Sequence, residues 1–124
     1  MEQQQLIQLQ MIEQEANQLE QQMQLIEQHL AEMQQLKMGL DELSESKEKE
    51  ILAHIGKGIY IPAEIKSKEL TVEIGNKNFV KKSIGETKEI VVGEIEKLDS
   101  AKQEIMERIE GLQGQMSRLM GIEK

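Results

Sequence analysis

The chain of 124 residues has the length of a single domain, and its 2% aromatic and 31% charged residues are typical of long helices rather than of a compact globule, which buries large aromatic side chains. A net charge of −8 disfavours binding to nucleic acid or anionic lipid, and the absence of cysteine excludes disulfides and thiolate chemistry. The sequence has neither an apolar run long enough to span a membrane nor a secretory signal pattern, so we expect a cytoplasmic protein.

The first predicted element is a helix over residues 1–46. Apolar residues recur along it at alternating spacings of three and four, a period of about 3.5 residues that is typical of a helix wound around another helix. This apolar stripe, the first seam, consists of Leu9, Ile12, Ala16, Leu19, Met23, Ile26, Leu30, Met33 and Leu40, with Lys37 as its one polar member.

Residues 50–82 follow a period of two instead, which predicts four short strands in two β-hairpins. Gly56-Lys57-Gly58 and Gly75-Asn76-Lys77-Asn78 break the pattern, and Gly and Asn tolerate the positive φ of tight hairpin turns. Pro62 cannot donate a ladder hydrogen bond, so we expect it at an edge. Two isolated hairpins leave strand edges and an apolar face uncovered, so we predict that strands of other subunits close a β-barrel with them. The predicted assembly residues are Ile51, Ile55, Ile59, Ile61, Ile65, Leu70, Val72, Ile74 and Phe79.

The last predicted element is a helix over residues 84–122. Ser83-Ile84-Gly85-Glu86 has the spacing of a capping box, in which the serine and the glutamate each satisfy a free backbone N–H at the start of the helix. A second seam follows, made of Val91, Ile95, Leu98, Lys102, Ile105, Ile109, Leu112, Met116 and Leu119.

Two matching seams in one short chain predict an antiparallel coiled coil, and the fold class is α+β, mostly α, in one domain over 1–124. In an antiparallel pair of helices, the numbers of two facing residues always add up to the same total. A total of 128 pairs Leu9 with Leu119 and Leu30 with Leu98. A shift of one heptad also fits the pattern.

Apolar residues outside the seams are concentrated near the chain termini, which meet at the free end of such a hairpin. Methionine adds flexible, polarisable surface, and this end of an acidic arm is suited to weak binding of exposed hydrophobic segments. The alternative is that chain ends fray and some of these residues are incidental. The predicted client-binding tip consists of Leu6, Ile7, Leu9, Met11, Ile12, Met116, Leu119, Met120 and Ile122.

Catalytic chemistry has no candidate residues in this sequence. His29 and His54 occupy polar positions without further convergent ligands, and Gly56-Lys57-Gly58 lacks the spacing of a phosphate-binding loop. We therefore predict no catalytic, metal or cofactor site and no enzyme activity.

Two segments resemble alpha-class prefoldin subunits. His54 to Ala63 resembles the family's glycine-flanked turn with its tyrosine-bearing strand and Pro-Ala step, and Glu73 to Ser83 resembles its second turn and its Lys-Ser entry to the last helix. Asn76, Asn78 and Lys81 depart from the family pattern. Beta-class subunits have one hairpin, so the second hairpin favours the alpha class.

The resemblance implies a hexamer of two alpha-class and four beta-class subunits with a double β-barrel body. It further implies ATP-independent capture of unfolded proteins at the coiled-coil tips and delivery to a group II chaperonin. Two alternatives remain: a structural prefoldin-like chain that self-assembles into homo-oligomers or filaments, and a coiled-coil adaptor that binds one defined helix.

Overall fold

The computed structural model describes residues 2–121, and these form two long helices with two hairpins between them in the chain. The order and bounds of the elements are α1 (Gln3–Glu45), β1 (Glu50–Gly56), β2 (Ile59–Glu64), β3 (Leu70–Gly75), β4 (Asn78–Lys82) and α2 (Ile84–Met120). This architecture confirms the predicted fold class. The chain divides into two compact units, an arm unit of residues 1–33 with 94–124 and a strand unit of residues 34–93.

The arm unit is held together along the two seams. Ile12, Leu30 and Leu112 are buried, and the other seam positions of this unit are half-buried, while most positions between them are exposed. Removing a leucine side chain from water contributes roughly 1.5–3 kcal/mol when burial is complete. This stripe therefore supplies most of the apolar burial in an arm that has no Phe, Tyr or Trp.

Ion pairs of the arm unit report the register of the coiled coil. In the register that sums to 128, Lys102 faces Ile26, and its Nζ lies 3.9 Å from Oε1 of Glu27, the next residue along α1. Arg108 donates from Nε to Oε1 of Glu15 at 2.8 Å, between two positions that flank the seam on the same side. The Lys102–Glu27 pair, whose residue numbers sum to 129, fits this register, whereas a shift of one heptad would move the two residues apart by about 10 Å at ~1.5 Å per residue.

The strand unit continues the same packing between α1 and α2. Leu40, Ile84 and Val91 are buried, and Lys88, which faces Leu40, forms an ion pair with Asp41. The second seam thus begins at Ile84, earlier than the sequence pattern indicated.

Each hairpin is a separate two-stranded antiparallel sheet, β1 with β2 and β3 with β4. Lys57 and Gly58 form the first turn and Asn76 and Lys77 the second, and all four have positive φ, as tight two-residue hairpin turns require. A register shift precedes each turn, between His54 and Gly56 and between Glu73 and Gly75. Ile55 and Ile74 therefore lie at bulges rather than in regular cross-strand pairs.

Both helix ends next to the strands are capped. Glu86 N donates to Ser83 Oγ and Ser83 N donates to Glu86 Oε1, each at 3.1 Å, so the predicted capping box is confirmed. The last turn of α1 contains no basic residue, but Lys68 Nζ donates to the carbonyl oxygens of Ser46 at 2.7 Å and Ser44 at 3.4 Å. This distant lysine satisfies carbonyl groups that α1 leaves free at its C-terminus.

Candidate functional site

The predicted client-binding tip contains exposed apolar side chains of the arm unit. Met11 is 64% exposed, and Leu6, Ile7 and Met120 are about half exposed. Such residues lie outside the seam, so the pairing of the helices does not cover them. They lie near the two ends of the chain.

A groove of about 500 Å³ lies between the helices, and Met11 is one of its lining residues. Its floor includes Ile12 and Leu119, and the Glu15 carboxylate at its edge is already paired with Arg108. Because that negative charge is balanced, an apolar segment can approach the floor without displacing an unpaired carboxylate. The groove is lined by Gln8, Met11, Ile12, Glu15, Gln115, Arg118 and Leu119.

The predicted tip residues differ in exposure. Ile12 is only 8% exposed and packs in the seam, where it lines the floor of the groove, so its contact with a client stays a prediction. Leu9, Met116 and Leu119 are half-buried seam residues, and Ile122 lies outside the described residues. The exposed members of the predicted tip are therefore Leu6, Ile7, Met11 and Met120.

Sequence reasoning missed the polar rim of the groove. Gln8 lies one helical turn before Met11, and Gln115 lies one turn before Leu119, so helical spacing from the apolar residues could have identified both.

The predicted assembly residues remain largely uncovered in the isolated chain. Ile51, Ile55, Ile59, Ile61, Ile74 and Phe79 are all at least 45% exposed, and Leu70 and Val72 are half-buried. Ile65 follows β2 rather than lying in it, and its N–H donates to the carbonyl of Lys49 at 2.6 Å, which closes the base of the first hairpin.

The first hairpin is apolar on both of its faces. Cross-strand pairing places Ile51 opposite Ala63 on one face and Leu52 opposite Pro62 on the other. Leu52 is 66% exposed, and Tyr60 on the same face packs against His54 with a ring-centroid distance of 5.0 Å. From the sequence, only the face with the isoleucines was assigned to assembly. Leu52 interrupts the alternation of period two, and that was the signal for the second face.

The model of the prefoldin subunit family matches residues 12–123 of this sequence. The chain belongs to the prefoldin family. Prefoldin subunits are chaperone-like proteins that assemble into oligomers with other prefoldin subunits, which fits two hairpins whose apolar residues lack cover in the single chain.

A solved prefoldin structure shares the fold. The chain is similar to filamentous PFD from Methanocaldococcus jannaschii, determined by cryo-electron microscopy, with 19% identity, a TM-score of 0.54, and coverage of 94% of this chain and 93% of that chain. A search of curated proteins gave no significant match.

Within residues 2–121, no three histidine, aspartate or glutamate side chains converge in a way that could hold a metal ion. Neither helix, over the same residues, has a stretch long and apolar enough to cross a bilayer.

Proposed function

We propose that this chain is an alpha-class prefoldin subunit that acts as an ATP-independent holding chaperone in the cytoplasm. It binds non-native polypeptides at the tip of its coiled coil and delivers them to a group II chaperonin. The observation that carries the proposal is the exposure of Leu6, Ile7, Met11 and Met120 on an arm whose helix pairing leaves them uncovered, with Met11 lining the groove between the helices.

Weak and general binding follows from the nature of this surface. The exposed residues are flexible aliphatic side chains, and methionine adapts to partners of varied shape. Each contact contributes only the free energy of the apolar area that it removes from water, roughly 25 cal/mol per Å². Such a surface holds unfolded segments without selecting one sequence and releases them without nucleotide hydrolysis.

The two hairpins support the alpha class and the mode of assembly. Beta-class subunits have one hairpin, whereas this chain has two, each with exposed isoleucines and free strand edges. In the proposed hexamer, two copies of this chain combine with four beta-class subunits, and intersubunit β-barrels cover the strands of both hairpins.

The tip is tested by the triple variant Leu6→Ser, Ile7→Ser and Met120→Ser. We expect assembly to be retained and the affinity for a chemically denatured client to fall about tenfold, which corresponds to a loss of ~1.4 kcal/mol. The measurement is suppression of client aggregation by light scattering, together with native mass.

The matched control is Leu25→Ser with Met106→Ser, two exposed apolar residues of the same arm unit away from the groove. Equal loss of capture in the triple variant and in this control would show that the tip has no special role.

A second candidate function is a structural one, self-assembly into homo-oligomers or filaments. Its support is the uncovered strands of this chain together with the filamentous state of the similar archaeal PFD. Native mass of the chain alone and mixed with a beta-class prefoldin subunit discriminates between the two. A heteromeric subunit stays small until the beta-class subunit is added, whereas a filament former grows alone.

A further inference from the structure

Methionine is the oxidisable sulfur of this protein, because the chain has eight methionines and no cysteine. The structure distributes them unevenly between surface and seam. Met11, Met38, Met106 and Met120 are 64%, 62%, 41% and 49% exposed. Met23, Met33 and Met116 are half-buried seam residues, so the coiled coil itself shields them.

Two of the exposed methionines lie where apolar contact matters most. Met11 lines the groove beside Ile12 and Leu119, and Met120 follows Leu119 directly on α2. An oxidant in solution therefore reaches these two thioethers without any opening of the helices. The same exposure that suits them to contact an apolar segment makes them accessible to oxidation.

The chemistry of the step is simple. A peroxide transfers one oxygen atom to the thioether, the sulfur loses two electrons to become a sulfoxide, the O–O bond breaks, and hydrogen peroxide is reduced to water. The product side chain is polar and chiral, with a strong acceptor oxygen. Methionine sulfoxide reductases return it to the thioether with two electrons from a pair of thiols, which become a disulfide, and the oxygen leaves as water. A sulfoxide at Met11 places this polar oxygen at the groove, where burial against an apolar segment is costly without a donor.

We propose that Met11 and Met120 are reversible oxidation sites through which peroxides weaken client capture while the coiled coil stays intact. This regulation rests on the proposed holding function of the same surface. The half-buried seam methionines react more slowly, so mild oxidation alters the binding surface before it disturbs the pairing of the helices.

The first test measures reactivity by site. The full-length protein is treated with hydrogen peroxide, and peptide mass spectrometry follows each sulfoxide over time. We expect Met11 and Met120 to oxidise at least about threefold faster than Met23, Met33 and Met116, with helical circular dichroism unchanged at that point. Equal rates at all of these sites, or loss of helical signal at the same stage, would overturn the proposal.

The second test measures capture of a denatured client before oxidation, after oxidation, and after treatment with methionine sulfoxide reductases A and B in the presence of dithiothreitol as the thiol reductant. We expect affinity to fall about threefold to tenfold on oxidation and to recover on reduction. The variant Met11→Leu with Met120→Leu, compared with its own untreated sample, should lose less than half as much. The control variant Met38→Leu with Met106→Leu should respond as the wild type does.

The outcomes separate this proposal from the proposed function. Absence of capture by the untreated wild type would refute the holding function itself. Normal capture that survives oxidation of Met11 and Met120, or a loss that reductases do not reverse, would refute the oxidation sites alone.

Discussion

At the scale of single residues, Ser83 and Glu86 determine where α2 begins. Their reciprocal hydrogen bonds satisfy two backbone N–H groups that would otherwise lack partners, and Thr87 Oγ1 also donates to the carbonyl of Ser83 at 2.9 Å. The hydrogen bonds with Ser83 are the main cause that lowers the pKa of the Glu86 carboxyl below its ordinary value of 4.5, and nearby Lys82 adds to the effect. The ionised form of Glu86 is therefore the one that the fold stabilises.

A pH prediction follows from this lowered pKa. The contribution of Glu86 to stability is complete above pH 4.5 and is lost as the pH falls through the lower pKa of the folded state. We expect Glu86→Gln, which cannot ionise, to give a smaller loss of unfolding free energy than the wild type across this acid range. Chemical denaturation at a series of pH values measures the unfolding free energy of the wild type and of the variant.

Glu89→Gln is the control, because Glu89 is another exposed glutamate of α2 outside the capping box. If the unfolding free energy of Glu86→Gln depended on pH as that of the wild type does, the role of the capping carboxylate would be contradicted.

At the scale of the helices, charged residues select one register from those that the apolar seams allow. Lys102 occupies a seam position, and its ammonium leaves the seam toward Glu27. An exposed pair of this kind contributes only about 0.2–1 kcal/mol. A register shifted by one heptad would keep apolar residues facing each other but would lose the contact between Lys102 and Glu27. A modest difference in free energy is therefore enough to favour the observed register.

Charge exchange tests the register. We expect Lys102→Glu to lower the stability of the arm by about 1 kcal/mol, because it places like charges next to each other, and Glu27→Lys to restore roughly half of that loss. Thermal unfolding followed by circular dichroism measures both variants. Glu20→Lys, one heptad earlier on α1, is the matched control and should not compensate; compensation by Glu20→Lys instead would indicate the shifted register.

At the scale of the whole molecule, the hairpins expose more apolar surface than a monomer in water normally tolerates. The first hairpin is apolar on both faces, and β-strands on each hairpin have unpaired edges. Strands from other subunits would cover the apolar faces and would also pair with the free strand edges. Assembly through the strands is thus the physical expectation for a chain of this family.

Charged substitutions in the strands should separate assembly from helix formation. We expect Ile59→Asp with Ile74→Asp to weaken oligomerisation about a hundredfold or more, because an interface would bury two uncompensated carboxylates, while the helical circular dichroism stays near that of the wild type. Native mass spectrometry measures the oligomer. Ser67→Asp with Asn76→Asp adds the same charge at exposed positions outside the strands and should leave assembly intact; dissociation by both pairs would point to net charge rather than to the strand faces.

The helices, the strands and the capping box were predictable from the sequence because their signals are local. A period of 3.5 or 2 residues and a serine three residues before a glutamate depend only on neighbours along the chain. The same periodicity predicted that seam residues such as Leu30 and Leu112 would pack in the interior, and both are buried.

Only the tertiary structure determined those features that depend on residues distant in the sequence, such as the degree of burial and the partners of charged side chains. Leu9 and Ile12 are successive members of the first seam, yet the position of α2 leaves the first half-buried and buries the second to 8% exposure. The pairing of Arg108 with Glu15 and the capping of α1 by Lys68 join residues far apart in sequence, and no local period encodes them. Local periodicity thus specifies which elements form, whereas the burial of each side chain and the register of the helices depend on contacts that exist only after those elements pack.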